Sequence, residues 1–119
     1  MSLQAYQKAQ RSAENPRDTE YRLFAQVTQA LIEANKVGRA NIAQLVDALD
    51  WNRRLWSALA VDCSSKGNQL PDALRAQIIS LSLWVSRFSS DIASTGASLE
   101  PLIDVNKSIM AGLSQRAST

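Results

Sequence analysis

Few residues in this chain could carry bond-making chemistry. It has one cysteine, Cys63, eleven carboxylates spread along the sequence, and no histidine. Without histidine the commonest general acid or base and metal ligand is missing, and a thiol with no imidazole partner is a poor nucleophile site. Asp47, Asp50 and Asp62 are strung along a helical pattern rather than gathered into a Ca²⁺-type loop, and no glycine-rich phosphate loop is present. Cys63 falls on an apolar stripe and reads as a small buried hydrophobe. The chain is therefore expected not to be an enzyme, and to need no cofactor and no metal.

The remaining chemistry is that of recognition. Arg17, Arg53 and Arg54 near exposed aromatics could hold a single-stranded nucleic acid by stacking and phosphate contacts. Asp47 and Asp50 precede the arginine pair on the same helix, however, which makes this a weak signal and argues against direct RNA binding. Two amides stand out more sharply. Asn52 and Asn106 each fall in the middle of an apolar helical stripe, where an unpaired amide costs roughly 1–3 kcal/mol. The structural reading is that they fix helix register; the functional one is that one of them lines a groove and bonds to a partner. Of the three tryptophans, Trp56 lies on its stripe and reads as core, Trp84 lies at the flank of its own, and Trp51 lies off the stripe beside Leu55. Trp51 is thus the candidate for an exposed aromatic anchor, and Leu55, Ile79, Leu83 and Trp84 could extend that surface.

These residues must be positioned by helices. Gly38, Gly67 and Gly96 fall between periodic segments, the three prolines fall at helix starts, and no alternating strand pattern appears. The spacing predicts helices over residues 3–13, 16–37, 41–65, 71–95 and 98–114, an all-α fold with a single bundle of about five helices spanning 1–119 and a polar, frayed tail after 114. The first would carry Leu3, Tyr6, Gln10 and Ala13 along one side, and is too short to hold alone in water. Asn15 is the expected cap of the second, with Pro16 at its first position and Asp18 in its first turn. Tyr21, Phe24, Val27, Thr28 and Leu31 form its stripe, and Gly38 its left-handed stop. Asn41 should cap the third, which carries Ile42, Leu45, Leu49, Asn52, Trp56, Leu59 and Cys63, with Gly67 closing it. Pro71 is expected as the first residue of the fourth, whose seam is Leu74, Ile78, Leu81, Val85, Phe88 and Ile92. Ser98 should cap the last.

With 119 residues and 45% apolar content, one core can close without disulfides. A net charge of +2 with interleaved signs makes the sequence pI of about 9.0 a poor guide to the surface. No signal peptide and no membrane-spanning run is visible, so a cytoplasmic location without membrane insertion is expected.

Asn68 to Leu81, read together with Tyr6, Asn15-Pro16-Arg17-Asp18, Leu55-Trp56, Asp62 and the stretch from Leu102 to Leu113, resembles the flagellar biosynthesis regulator FlaF of alphaproteobacteria. A Ser-Pro-Arg-Glu pattern expected of that family appears here as Asn15-Pro16-Arg17-Asp18, which keeps the cap oxygen and the first-turn carboxylate. The resemblance implies a flagellin-binding export chaperone and regulator, coupling flagellin synthesis and secretion in flagellum assembly and working opposite FlbT, a translational regulator of flagellin messages. Flagellin would dock through a terminal helical segment, on a groove expected to be lined by Trp51, Leu55, Ile79 and Leu83 and covered in the free protein by the region after Gly96. The alternatives are a post-transcriptional regulator that binds flagellin message directly or through FlbT, and a structural subunit held by contacts between bundles.

Overall fold

A computed structural model describes residues 16–118, with side chains described from 19 to 112. The expected helix over 3–13 and the Asn15 cap lie outside the described residues. Four α-helices account for most of what is described: α1 (Pro16–Val37), α2 (Ile42–Ser64), α3 (Asp72–Thr95) and α4 (Glu100–Ser118), with a 3₁₀ turn over Gly38–Asn41 joining the first two. No strand occurs among the described residues. α4 continues to Ser118, past the expected end at 114, and so includes most of the tail read as frayed.

The corners follow local capping chemistry. Gly38 adopts φ +59°, a left-handed conformation that breaks α1, and Asn41 Oδ1 then accepts from the Gln44 N–H at 3.1 Å to start α2. Gly96 does the same for α3, with φ +73° and its N–H donating to the Ile92 carbonyl at 2.8 Å. A Cβ at Gly96 would meet only the Arg39 guanidinium, the movable end of an exposed side chain, so it is the positive φ that favours glycine there. At the start of α4 the Ser98 hydroxyl accepts from the Glu100 N–H, and Asn35 of α1 accepts from the Leu99 N–H, both near 3 Å.

The α2–α3 corner departs from expectation in two ways. Gly67 does not take a left-handed conformation; α2 ends instead at Ser65, whose N–H and hydroxyl both donate to the Asp62 carbonyl. Arg75 of α3 reaches back to the freed carbonyls of Cys63 and Ser65 at 2.8 and 3.1 Å, so side chains satisfy the helix end and no αL residue is needed. Pro71 is the cap of α3 and not its first residue. Its ψ of 146° is extended, and its carbonyl accepts the first helical bond from the Arg75 N–H. Proline's fixed φ suits either position, so sequence alone placed it one residue too far in.

α2 packs on α1 along one edge and on α3 along the other, while α4 packs chiefly on α1. Phe24, Leu31, Trp56, Ile78, Ile92 and Leu102 are fully buried between them, and the Phe24 ring meets Trp56 edge to face with centroids 5.6 Å apart. The expected seams of α2 and α3 hold except at their margins: Leu74, Leu81 and Phe88 are half-buried, and Ile42 is exposed because it opens α2 before the packed turns begin.

Asn52 and Asn106 have no exposed surface and meet at the centre. The Asn106 amide donates to Asn52 Oδ1 at 2.8 Å and to Thr28 Oγ1 at 3.2 Å, and its carbonyl accepts from Trp56 Nε1–H at 2.8 Å. Asn52 makes only the bond to Asn106, and its own Nδ2 has no partner. Asn106→Ala strands three partners and is expected to cost about 3 kcal/mol or more. Asn52→Ala removes one acceptor and an already unpaired donor, and should cost closer to ~1–2 kcal/mol. Chemical denaturation of both variants checks the order; a larger loss for Asn52→Ala would refute this hierarchy.

Candidate partner-binding groove

The two outer helices leave a gap. α3 is held by α2 and α4 by α1, and no substantial contact joins α3 to α4. Between them lies a hollow of about 360 Å³ whose walls are Leu74, Ile78 and Leu81 of α3 and Val105, Ile109 and Gly112 of α4, with Gln77, Asp104 and Ser108 also lining it. On α3 the apolar wall recurs at spacings of four and three, as a helix face requires. The same side of α3 continues to Trp84 and Phe88, whose half-buried rings stack at 4.9 Å and 18°. Ile78 and Ile109 are buried and form the floor, while Leu74, Leu81 and Val105 are half-buried.

The residues expected to form one groove are distributed differently. Trp51 is 41% exposed and lines a separate, shallow hollow with Ala30, Glu33, Asn41, Gln44 and Asp47, on the α1 edge of α2. Leu55 is core, at 9% exposure, because α1 covers that side of α2; it is not a surface residue. Ile79 is half-buried against the core, and Leu83 is 62% exposed. Since α3 packs on the opposite edge of α2 from α1, Trp51 and Leu83 lie on either side of the α2–α3 seam. Trp84 alone of the five falls on the groove side. Leu81, Val105 and Ile109 carry the groove; sequence reading placed Leu81 in an ordinary seam and did not single out Val105. The only signal that could have found them is that α3 and α4 each carry more apolar width than a single neighbour covers.

Among the described residues the charges do not gather into a basic patch. Asp50 pairs with both Arg53 and Arg54, at 2.8 and 3.0 Å. Cys63 is fully buried, and among the described residues no three of histidine, cysteine, aspartate and glutamate come together as metal ligands would. No described helix is long and apolar enough to cross a membrane.

Compared with known proteins, residues 2–113 match the family model described as flagellar protein FlaF. No curated protein and no solved structure matches the chain.

The burial pattern separates two neighbours on α2. Leu55→Ala should lower folding stability by about 2–4 kcal/mol, as large-to-small core substitutions do. Trp51→Ala should cost less than about 1 kcal/mol, since it empties no core position. Denaturant melts of the two variants test this, and similar losses would contradict the assignment.

Proposed function

The chain belongs to the flagellar protein FlaF family, and from that premise we propose that it is a cytoplasmic, non-enzymatic flagellin-binding export chaperone and regulator. Family membership places it in flagellar biology. The observation that supports the finer reading is the open apolar groove between α3 and α4. Flagellin's terminal segments are disordered before assembly and helical in the filament, as the family resemblance implies. Such a segment can fold on binding, laying an apolar face with anchors at helical spacing into a groove that two helices already flank. Held there, it is withheld from polymerisation until export.

The groove replaces the surface centred on Trp51 as the proposed client site. It offers apolar walls and a few polar groups at its rim, the pattern of a helix-accepting site rather than of a phosphate-binding one. Among the described residues nothing favours direct contact with flagellin message: Asp50 engages Arg53 and Arg54, and the side chain of Arg17 lies outside the described residues. FlbT remains a proposed regulatory partner.

Leu81→Ala and Val105→Ala should each weaken flagellin binding by about 1–2 kcal/mol in calorimetry while leaving the fold intact. Flagellin lacking one or the other terminal segment identifies which end is held. Unchanged affinity in both variants would remove the groove as the client site. A gel shift of flagellin leader RNA by the protein alone, falling steeply with salt, would turn the reading toward an RNA regulator.

A further inference from the structure

We propose that Asp104 fixes the direction and register in which a client helix lies in the α3–α4 groove, by pairing with a lysine or arginine of that helix. This rests on the groove being the client site, as proposed above. The two ends of the groove are chemically different. Asn35 of α1 accepts from the Leu99 N–H and Thr28 from the Asn106 amide, so α4 runs antiparallel to α1. Arg75 of α3 reaches the last carbonyls of α2, and Ser82 reaches the Trp56 carbonyl, so α3 runs antiparallel to α2. One short 3₁₀ turn and the Phe24–Trp56 contact set α2 antiparallel to α1. The groove walls α3 and α4 are therefore antiparallel to each other. Leu74, Ile78, Ile109 and Gly112 lie toward one end, and Leu81, Val105 and Asp104 toward the other.

Among the described residues Asp104 is the only charged one lining the groove. No ion pair among them involves it, although Lys107 follows three positions later on the same helix. In the free protein Asp104 is exposed, and water solvates its charge. A helix seated on Leu81 and Val105 removes part of that water. A carboxylate that loses water beside apolar walls opposes binding unless a cation takes the water's place. Gln77 and Ser108, the other polar residues of the lining, are neutral and impose no such demand. The occupant this groove fits is thus an amphipathic helix with apolar anchors at spacings of three and four and one basic side chain beside the anchor that meets Leu81. Reversing that helix, or sliding it by one turn of about 5.4 Å, carries its cation away from the acid. A charge so placed selects among partners and speeds encounter more than it adds affinity.

The test is binding of flagellin to the full chain, by calorimetry and stopped flow, at low and at physiological salt. Asp104→Asn and Asp104→Lys are compared with two references. Leu81→Ala alters the apolar wall, and Glu33→Lys makes the same charge change on an exposed α1 residue outside the groove. Asp104→Asn should slow association and flatten its salt dependence, and Asp104→Lys should weaken binding by about tenfold or more, with Glu33→Lys near wild type. Exchanging one lysine or arginine of the bound flagellin segment for glutamate should restore binding to Asp104→Lys, a rescue that a merely structural role would not give. Wild-type affinity and salt dependence in both Asp104 variants, beside a weakened Leu81→Ala, would overturn the pairing and leave the groove standing as the client site. Equal losses for Glu33→Lys and Asp104→Lys would overturn it in favour of a general field effect. Wild-type binding by Leu81→Ala as well would remove the client site and the pairing with it. A dimer in sedimentation that Leu81→Ala dissociates would give the groove to a second copy and also overturn the pairing. If Asp104→Lys fails to fold, the nearly isosteric Asp104→Asn decides the matter through its salt dependence.

Discussion

The buried amide of Asn106 holds α1, α2 and α4 against one another, because its three hydrogen bonds end on Thr28, Asn52 and Trp56. Each bond contributes only about 0.5–1.5 kcal/mol net, and an apolar residue of similar shape could pack there. Their effect lies in what they exclude. Sliding α4 by one turn, about 5.4 Å, would break the bonds that pair the Asn106 amide and the Trp56 N–H inside the core. The core side chains around them, Phe24, Leu31 and Leu102 among them, supply burial but are tolerant of register. Shape gives the bundle its stability, and this amide cluster gives it one arrangement.

The groove is a consequence of how that arrangement distributes contacts. α4 is fastened to α1 by the amide cluster and by Asn35 at the Leu99 N–H. α3 is fastened to α2 by Arg75 at one end and by the Ser82 hydroxyl, which donates to the Trp56 carbonyl at 3.4 Å, further along. Each outer helix has its own partner, so nothing draws α3 and α4 together. Both nevertheless carry apolar residues on the sides that face the gap. Left uncovered by any described helix, those residues give the gap the character of a binding surface.

How much of this was legible in the sequence depends on whether a feature is local. The Asn41 cap, the left-handed Gly38, the burial of Trp56 and the central position of Asn52 and Asn106 all follow from helical period and cap chemistry, and the structure carries them. Pro71 and Gly67 were misplaced because the α2–α3 corner is closed by Arg75, a residue from the next helix whose reach no local rule describes. Leu55 was misread for a related reason. A helical wheel gives the angle of a side chain but not which neighbour covers it, and α1 covers Leu55 while leaving Trp51 at the edge. The groove was illegible on the same ground: Leu81 looks like an ordinary seam residue, and Val105 like nothing in particular, until the order of helices across the bundle is known.

The same reasoning bears on what kind of partner the molecule suits. A nucleic-acid surface needs cations free to meet phosphates, and here the arginine pair on α2 is already drawn to Asp50. The polar residues at the centre are consumed in holding three helices in place. What the fold leaves unspent is apolar helix surface, arranged in a trough between two parallel-sided walls. Under the function proposed above, that trough is where the helical end of a flagellin client would be held.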